Sequence, residues 1–210
     1  MNVHAAKPAQ EDVSRDLARF VVGLKLADLP ASYVQTLRHG ILDTIGCMLA
    51  GSGTSSARAI QRVASEWGGR EDATVIGTKL RLPGVSAGYV NGSAAHQFDF
   101  DDTHDAAVVH PTANSLSASL ALAERDPDTT GEKLLEAIAA ANEVTCRLGL
   151  AIKGDLFEYP WTRPPILGGY GAAAAACRIL ELDEDQTRSA FGFALHQTCN
   201  TLECLYAPGS

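Results

Sequence analysis

A chain of 210 residues, 46% hydrophobic and 20% charged, has the make-up of a globular protein and the length for one large domain or two small ones. Its formal charge of −8 argues against nucleic acid or an anionic membrane as a partner, because both require clustered Lys and Arg; a small anion, which answers to local charge, stays open. Five scattered cysteines (Cys47, Cys146, Cys177, Cys199, Cys204) form no C-x-x-C pair, so neither a zinc site nor an iron–sulfur cluster is indicated, and reduced thiols of a cytoplasmic enzyme are expected. The first residues lack the apolar core of a signal peptide, and no run is long enough to span a bilayer.

In chain order, Val13, Leu17, Phe20, Val21 and Leu24 recur at helical spacing over 9–24, with Glu11 and Asp12 in the first turn, where acids suit the helix dipole. Pro30 opens a second helix carrying Val34, Leu37, Ile41, Ile45 and Leu49, and Gly51-Ser52-Gly53 ends it. A third runs from Ser55 to Trp67, stopped by Gly68-Gly69. Ala73–Gly77 reads as a strand, with Lys79–Leu82 as its hairpin partner. From Pro83 the chain turns helical and rich in small residues, which predicts a central helix closely packed on its neighbours. Pro111 starts a helix with Leu116, Leu120 and Leu122 directed at the core, and Thr130-Gly131-Glu132 starts another that reaches Ile152. Residues 153–170, rich in proline and aromatic side chains, read as an irregular binding loop, followed by an Ala-rich helix over Gly171–Leu180 and a last helix from Asp183 to about Cys199. The chain therefore reads as all-α, with at most one short β-hairpin, in a single helical domain over residues 1–210. It contains no G-x-G-x-x-G and no G-x-x-x-x-G-K-[ST], so no nucleotide-binding motif is present.

One stretch is out of keeping with its neighbours. Between two apolar segments, residues 96–110 hold four aspartates (Asp99, Asp101, Asp102, Asp105) and three histidines (His96, His104, His110). Unpaired buried charge costs several kcal/mol, so this density reads as a site, the plain alternative being a solvated acidic loop. If the preceding helix continues through the acids, Asp99 and Thr103 fall at i and i+4 on one face. Aspartate and hydroxyl then hold and deprotonate a hydroxy acid, and His110, just before a proline-initiated helix, donates to a substrate oxygen or acts as acid. The free N–H groups of that helix start attract a carboxylate. The rival chemistry is a divalent metal held by the same aspartates, His104 and His110, and the pair His104-Asp105 fits a metal-dependent hydrolase of the HD type.

Gly92–His104 with His110-Pro111, the earlier Leu42-Asp43-Thr44-Ile45-Gly46-Cys47 with Ala50-Gly51, and the later Gly168-Gly169-Tyr170-Gly171 and Ala172–Ala176 together resemble the MmgE/PrpD family over nearly the whole chain. The resemblance implies a helical main domain, a homodimer and cofactor-free lyase chemistry, without metal, beside a carboxylate: 2-methylcitrate dehydratase, cis-aconitate decarboxylase and an iminodisuccinate epimerase belong to the family. It places Asp99, Thr103 and His110 on catalytic positions, with Asp102, His104 and Arg163 as candidate substrate-binding residues. Two departures stand out. The family's histidine ahead of the Gly-Ala-Ala-Ala helix is missing from Trp161-Thr162-Arg163-Pro164-Pro165, where Arg163 would bind a carboxylate instead. Family chains are also roughly twice as long, so this one corresponds to the N-terminal part, without the lid domain. The expectation is a lyase on a small di- or tricarboxylate, alone or with a separate C-terminal half; the alternative is a catalytically silent subunit acting through protein–protein contacts, with Leu195, Leu202, Leu205 and Tyr206 against the partner.

Overall fold

The computed structural model describes residues 12–154 and 161–201, within which the regular secondary structure is helical but for one hairpin of two-residue strands. The helices are α1 (Val13–Gly23), α2 (Ala31–Gly51), α3 (Ser55–Glu66), α4 (Gly84–Ala95), α5 (Pro111–Ala123), α6 (Gly131–Ala151), α7 (Arg163–Ile179) and α8 (Glu184–Gln197), with β1 (Ala73–Thr74) and β2 (Arg81–Leu82) between α3 and α4. Side-chain caps fix several starts: Asp12, Thr54 and Thr130 each accept the N–H three residues on, and Asp183 forms a capping box with Gln186. No helix among the described residues is long and apolar enough to cross a membrane.

The core lies around α6, whose Ile138, Ala139, Ala140, Ala141 and Val144 are completely buried, packed with Leu116 of α5 and Ala174 and Ala175 of α7. Alanine on both sides lets the axes approach, and at Gly171 even one added carbon would strike the Thr145 side chain. Arg178 of α7 is held beneath α1: its guanidinium donates to the Val22 and Leu24 carbonyls and pairs with Glu136 of α6, whose other oxygen accepts the Leu26 N–H at 2.9 Å.

Two readings of the sequence change. The small-residue helix α4 is not central: it buries one face against α2, α3 and α5 and leaves Val85 and Tyr89 81% and 53% exposed. Its glycines serve the α5 contact, since a Cβ on Gly88 would meet the Ser117 carbonyl at 3.3 Å. The loop expected over 153–170 is shorter, because α7 begins at Arg163. Pro164 and Pro165 sit in its first turn, where the missing N–H groups have no helical partner to lose. Residues 155–160 and 202–210, with Leu202, Leu205 and Tyr206, lie outside the described residues; Leu195 is 63% exposed. Among the free cysteines of the described residues, Cys177 is buried in the core and Cys199 is exposed.

Candidate active site

The acidic segment is a loop. Helix α4 stops at Ala95, and His96 leaves helical geometry (φ −99°, ψ 16°), so Asp99 and Thr103 do not share a helical face. The start of the loop is fixed from α2 and α3. Gly51 lies against the Ala94 carbonyl, where any Cβ would collide, and the Gln97 amide oxygen accepts hydroxyl donors from Thr54 (2.8 Å) and Ser56. Its end is fixed by burial of Ala107 and Val109 against Leu167 of α7, with Ala107 so close to α6 that a Cβ on Gly149 would lie 2.7 Å from its carbonyl oxygen. Between these anchors, His104 and Val109 pair across a turn (N···O 3.0 Å) and the His104 Nδ1 accepts the Ala107 N–H at 3.2 Å. Asp99 (φ 51°) and Val108 (φ 56°) are both left-handed, a conformation that costs a β-branched residue about 1–3 kcal/mol and is found where the fold overrides local preference.

The loop lies on an open groove of about 940 Å³ between α4, α5 and α7. Asp99, Asp101, His96 and His110 line one end; Tyr89, Ala118 and Leu122 line the rest, with Thr162 and Pro164 on the α7 side. The cluster is built on Asp101, whose side chain is wholly buried. Its Oδ1 is 2.8 Å from His96 Nδ1, and its Oδ2 is 3.6 Å from His110 Nδ1, which also approaches the Asp101 backbone carbonyl at 3.4 Å. The opposite nitrogens face Asp99: His110 Nε2 is 3.4 Å and His96 Nε2 4.0 Å from its Oδ1. The Asp101 hydrogen bond holds the His96 imidazole above its ordinary pKa, partly opposed by desolvation. One ligand atom from each of the four lies within 4.8 Å of the others, a spacing a divalent cation can bridge, although His96 Nδ1 and Asp101 Oδ1 are already joined to each other.

Of the residues singled out in the sequence, the structure brings together Asp99 and His110. Thr103 is exposed and donates to Asp105 at 3.0 Å. His104 closes the turn and, like Asp102, is absent from the groove lining. Asp102 grips the start of α5: Oδ1 accepts the Thr112 N–H at 3.1 Å and Oδ2 the Thr112 hydroxyl at 2.5 Å, with Asn142 of α6 donating to that hydroxyl at 3.1 Å. Burial raises the Asp102 pKa, against the Thr112 bonds that lower it. The helix start is thus poorer in free donors than expected, since Pro111 has no N–H and that of Thr112 is taken. Arg163 is buried, outside the groove lining, with Nη2 on the Gly154 carbonyl at 3.1 Å. Asp101, read in the sequence only as one of the possible metal ligands, proves to be the centre of the cluster. Its partners are five and nine positions away, at no helical or strand period, so no spacing rule marks it.

The fold and this cluster define a helical protein with two aspartates and two histidines gathered on one groove. The chain belongs to the MmgE/PrpD family: the model of the MmgE/PrpD N-terminal domain matches residues 15–210. It is similar to the cis-aconitate decarboxylase-like protein oryM of Aspergillus oryzae (32% identity, covering 93% of this chain and 42% of the relative). It is similar also to cis-aconitate decarboxylase of Homo sapiens (32%, covering 88% and 39%) and of Aspergillus terreus (26%, covering 94% and 41%). The chain thus spans about two fifths of the length of these relatives.

Proposed function

We propose that this chain supplies the acid–base half of a cofactor-free lyase that removes water or carbon dioxide from a small di- or tricarboxylate. The observation that carries the reading is the opposition of Asp99 and His110, 3.4 Å apart at the end of the groove. In a dehydration, the Asp99 carboxylate takes the proton from the carbon next to a carboxylate, and a protonated His110 gives its proton to the departing hydroxyl. In a decarboxylation, carbon dioxide leaves with the carbon–carbon bond broken, and the carbanion takes a proton from the same pair. Thr103 donates to the substrate only if the 103–105 turn rearranges. Solvent-proton exchange in deuterium oxide, followed by NMR with cis-aconitate, 2-methylcitrate and citrate, tests the proposal. Exchange abolished by Asp99→Asn and His110→Gln supports it; no exchange with any acid, with or without a complementary C-terminal half, refutes it.

A second reading concerns partners. No Lys or Arg is among the described residues that line the groove, whereas two aspartates are. A substrate with several carboxylates needs cationic partners, so we propose that a second polypeptide, either another copy or a separate C-terminal half, supplies them in the cytoplasm. Full activity of a monomeric chain, checked by light scattering beside the exchange assay, refutes this.

A further inference from the structure

The Asp99–His110 pair leaves two features of the cluster unused: the buried Asp101 carboxylate and the second imidazole, His96. The Asp101 side chain is fully out of solvent, and Oδ2 has no hydrogen-bond partner among the described residues. A buried carboxylate oxygen without a donor costs free energy, and such atoms mark places where the arrangement serves something other than stability. The donor in reach is His110 Nδ1, at 3.6 Å, which bonds the Asp101 backbone carbonyl at 3.4 Å and swings to Oδ2 with a small ring movement. Oδ1 already holds His96 Nδ1 at 2.8 Å. The two rings meet edge to face, with centroids 4.7 Å apart, and both Nε2 atoms point away from Asp101 toward Asp99.

We propose that Asp101 is a positioning residue that holds His96 and His110 as a matched pair, each with Nδ1 turned to its carboxylate and Nε2 turned to Asp99 and the groove, so that the site offers the reacting carbon a second imidazole, His96. The proposal rests on reading the groove as a lyase site. In a neutral imidazole only one nitrogen carries hydrogen, and the partner of the other decides which. At His96 the Asp101 carboxylate, 2.8 Å from Nδ1 against 4.0 Å for Asp99 at Nε2, selects the Nδ1–H tautomer; at His110 the Asp101 carbonyl (3.4 Å) and Oδ2 (3.6 Å) act together on Nδ1 against the single Asp99 oxygen 3.4 Å from Nε2. One carboxylate serving two rings turns both Nε2 atoms toward Asp99, so that one ring, in its imidazolium form, can give a proton at Nε2 while the other, neutral, takes one there. His96, half-exposed at the groove, is in place for contact with a ligand; Asp101, buried behind both rings, acts through them.

Long-range nitrogen–proton NMR of the full chain, recorded where the imidazoles are neutral, reads the tautomers without any substrate. We expect Nδ1–H at both His96 and His110, and in Asp101→Asn, which keeps the shape and loses the charge, a shift of both toward the Nε2–H form that free imidazole side chains favour in water. Nε2–H at His96 in the unmodified chain overturns the proposal, as does a shift confined to one ring. His96→Gln tests the role at the substrate: with the fold retained by circular dichroism, proton exchange should fall about a hundredfold or more, the loss typical of a missing acid–base group. An undiminished rate overturns that role. If the unmodified chain exchanges no proton with any acid, the lyase reading fails, and the tautomers alone still decide the pairing.

Discussion

Asp102→Ala isolates how the start of α5, and with it His110, is held. The carboxylate gives the Thr112 N–H its acceptor in the first turn and accepts the hydroxyl of the same residue, which is 1% exposed. Losing a cap of this kind costs about 1 kcal/mol, and stranding a buried hydroxyl donor about 1–3 kcal/mol more, so the variant should lose about 2–4 kcal/mol of unfolding free energy. Asp102→Asn should lose much less, since an amide oxygen still accepts the backbone N–H. The two differ in pH dependence as well. Burial raises the Asp102 pKa in the folded state, so folding favours its protonated form. That contribution is fully present below the unfolded value, about 3.9, and is lost as pH rises through the folded value above it. Relative to Asp102→Asn, the unmodified chain should therefore gain stability as pH falls from neutrality through that window. Urea unfolding at a series of pH values, followed by circular dichroism, measures both effects. An Asp102→Ala variant within about 0.5 kcal/mol of the parent, or a difference from Asp102→Asn independent of pH, refutes the reasoning.

Glu136→Ala leaves Arg178 buried without its carboxylate and the Leu26 N–H without an acceptor, and should cost about 3–5 kcal/mol in urea unfolding. Gly51→Ala drives a methyl into the Ala94 carbonyl and must part α2 from α4, two residues before His96; a lowered melting temperature with broadened His96 resonances is expected. His96 has a raised pKa from its bond to Asp101, so its contribution to stability is complete below the unfolded value, about 6.5, and disappears as pH rises through the folded one. The stability gap between the unmodified chain and His96→Gln should narrow across that range, by a modest amount because the ring is half-exposed. Arg163→Ala should lower stability through the lost Gly154 contact while leaving citrate binding, read by calorimetry, unchanged.

The helices were legible because their causes are local. The three- and four-residue spacing of Leu37, Ile41 and Ile45, the proline before Ala31, the capping threonines and the glycines past Ser52 act within a turn or two, and α2 and α3 end where those signals place their ends, to within a residue. The density of acids and histidines between two apolar segments likewise marked residues 96–110 before any geometry was known. The position of α7 was less legible: prolines read as breakers are equally at home in a first turn, and the choice depends on Leu167 and Gly168 packing against α5 and the site loop. The division of labour within the acidic loop belonged to the tertiary structure alone. Asp101 and Asp102 are adjacent and chemically identical, yet one sits between two imidazoles and the other caps α5. A loop without periodicity carries no rule for where each side chain points; the anchors at Gln97, Ala107 and Val109, set by α2, α3, α6 and α7, decide it.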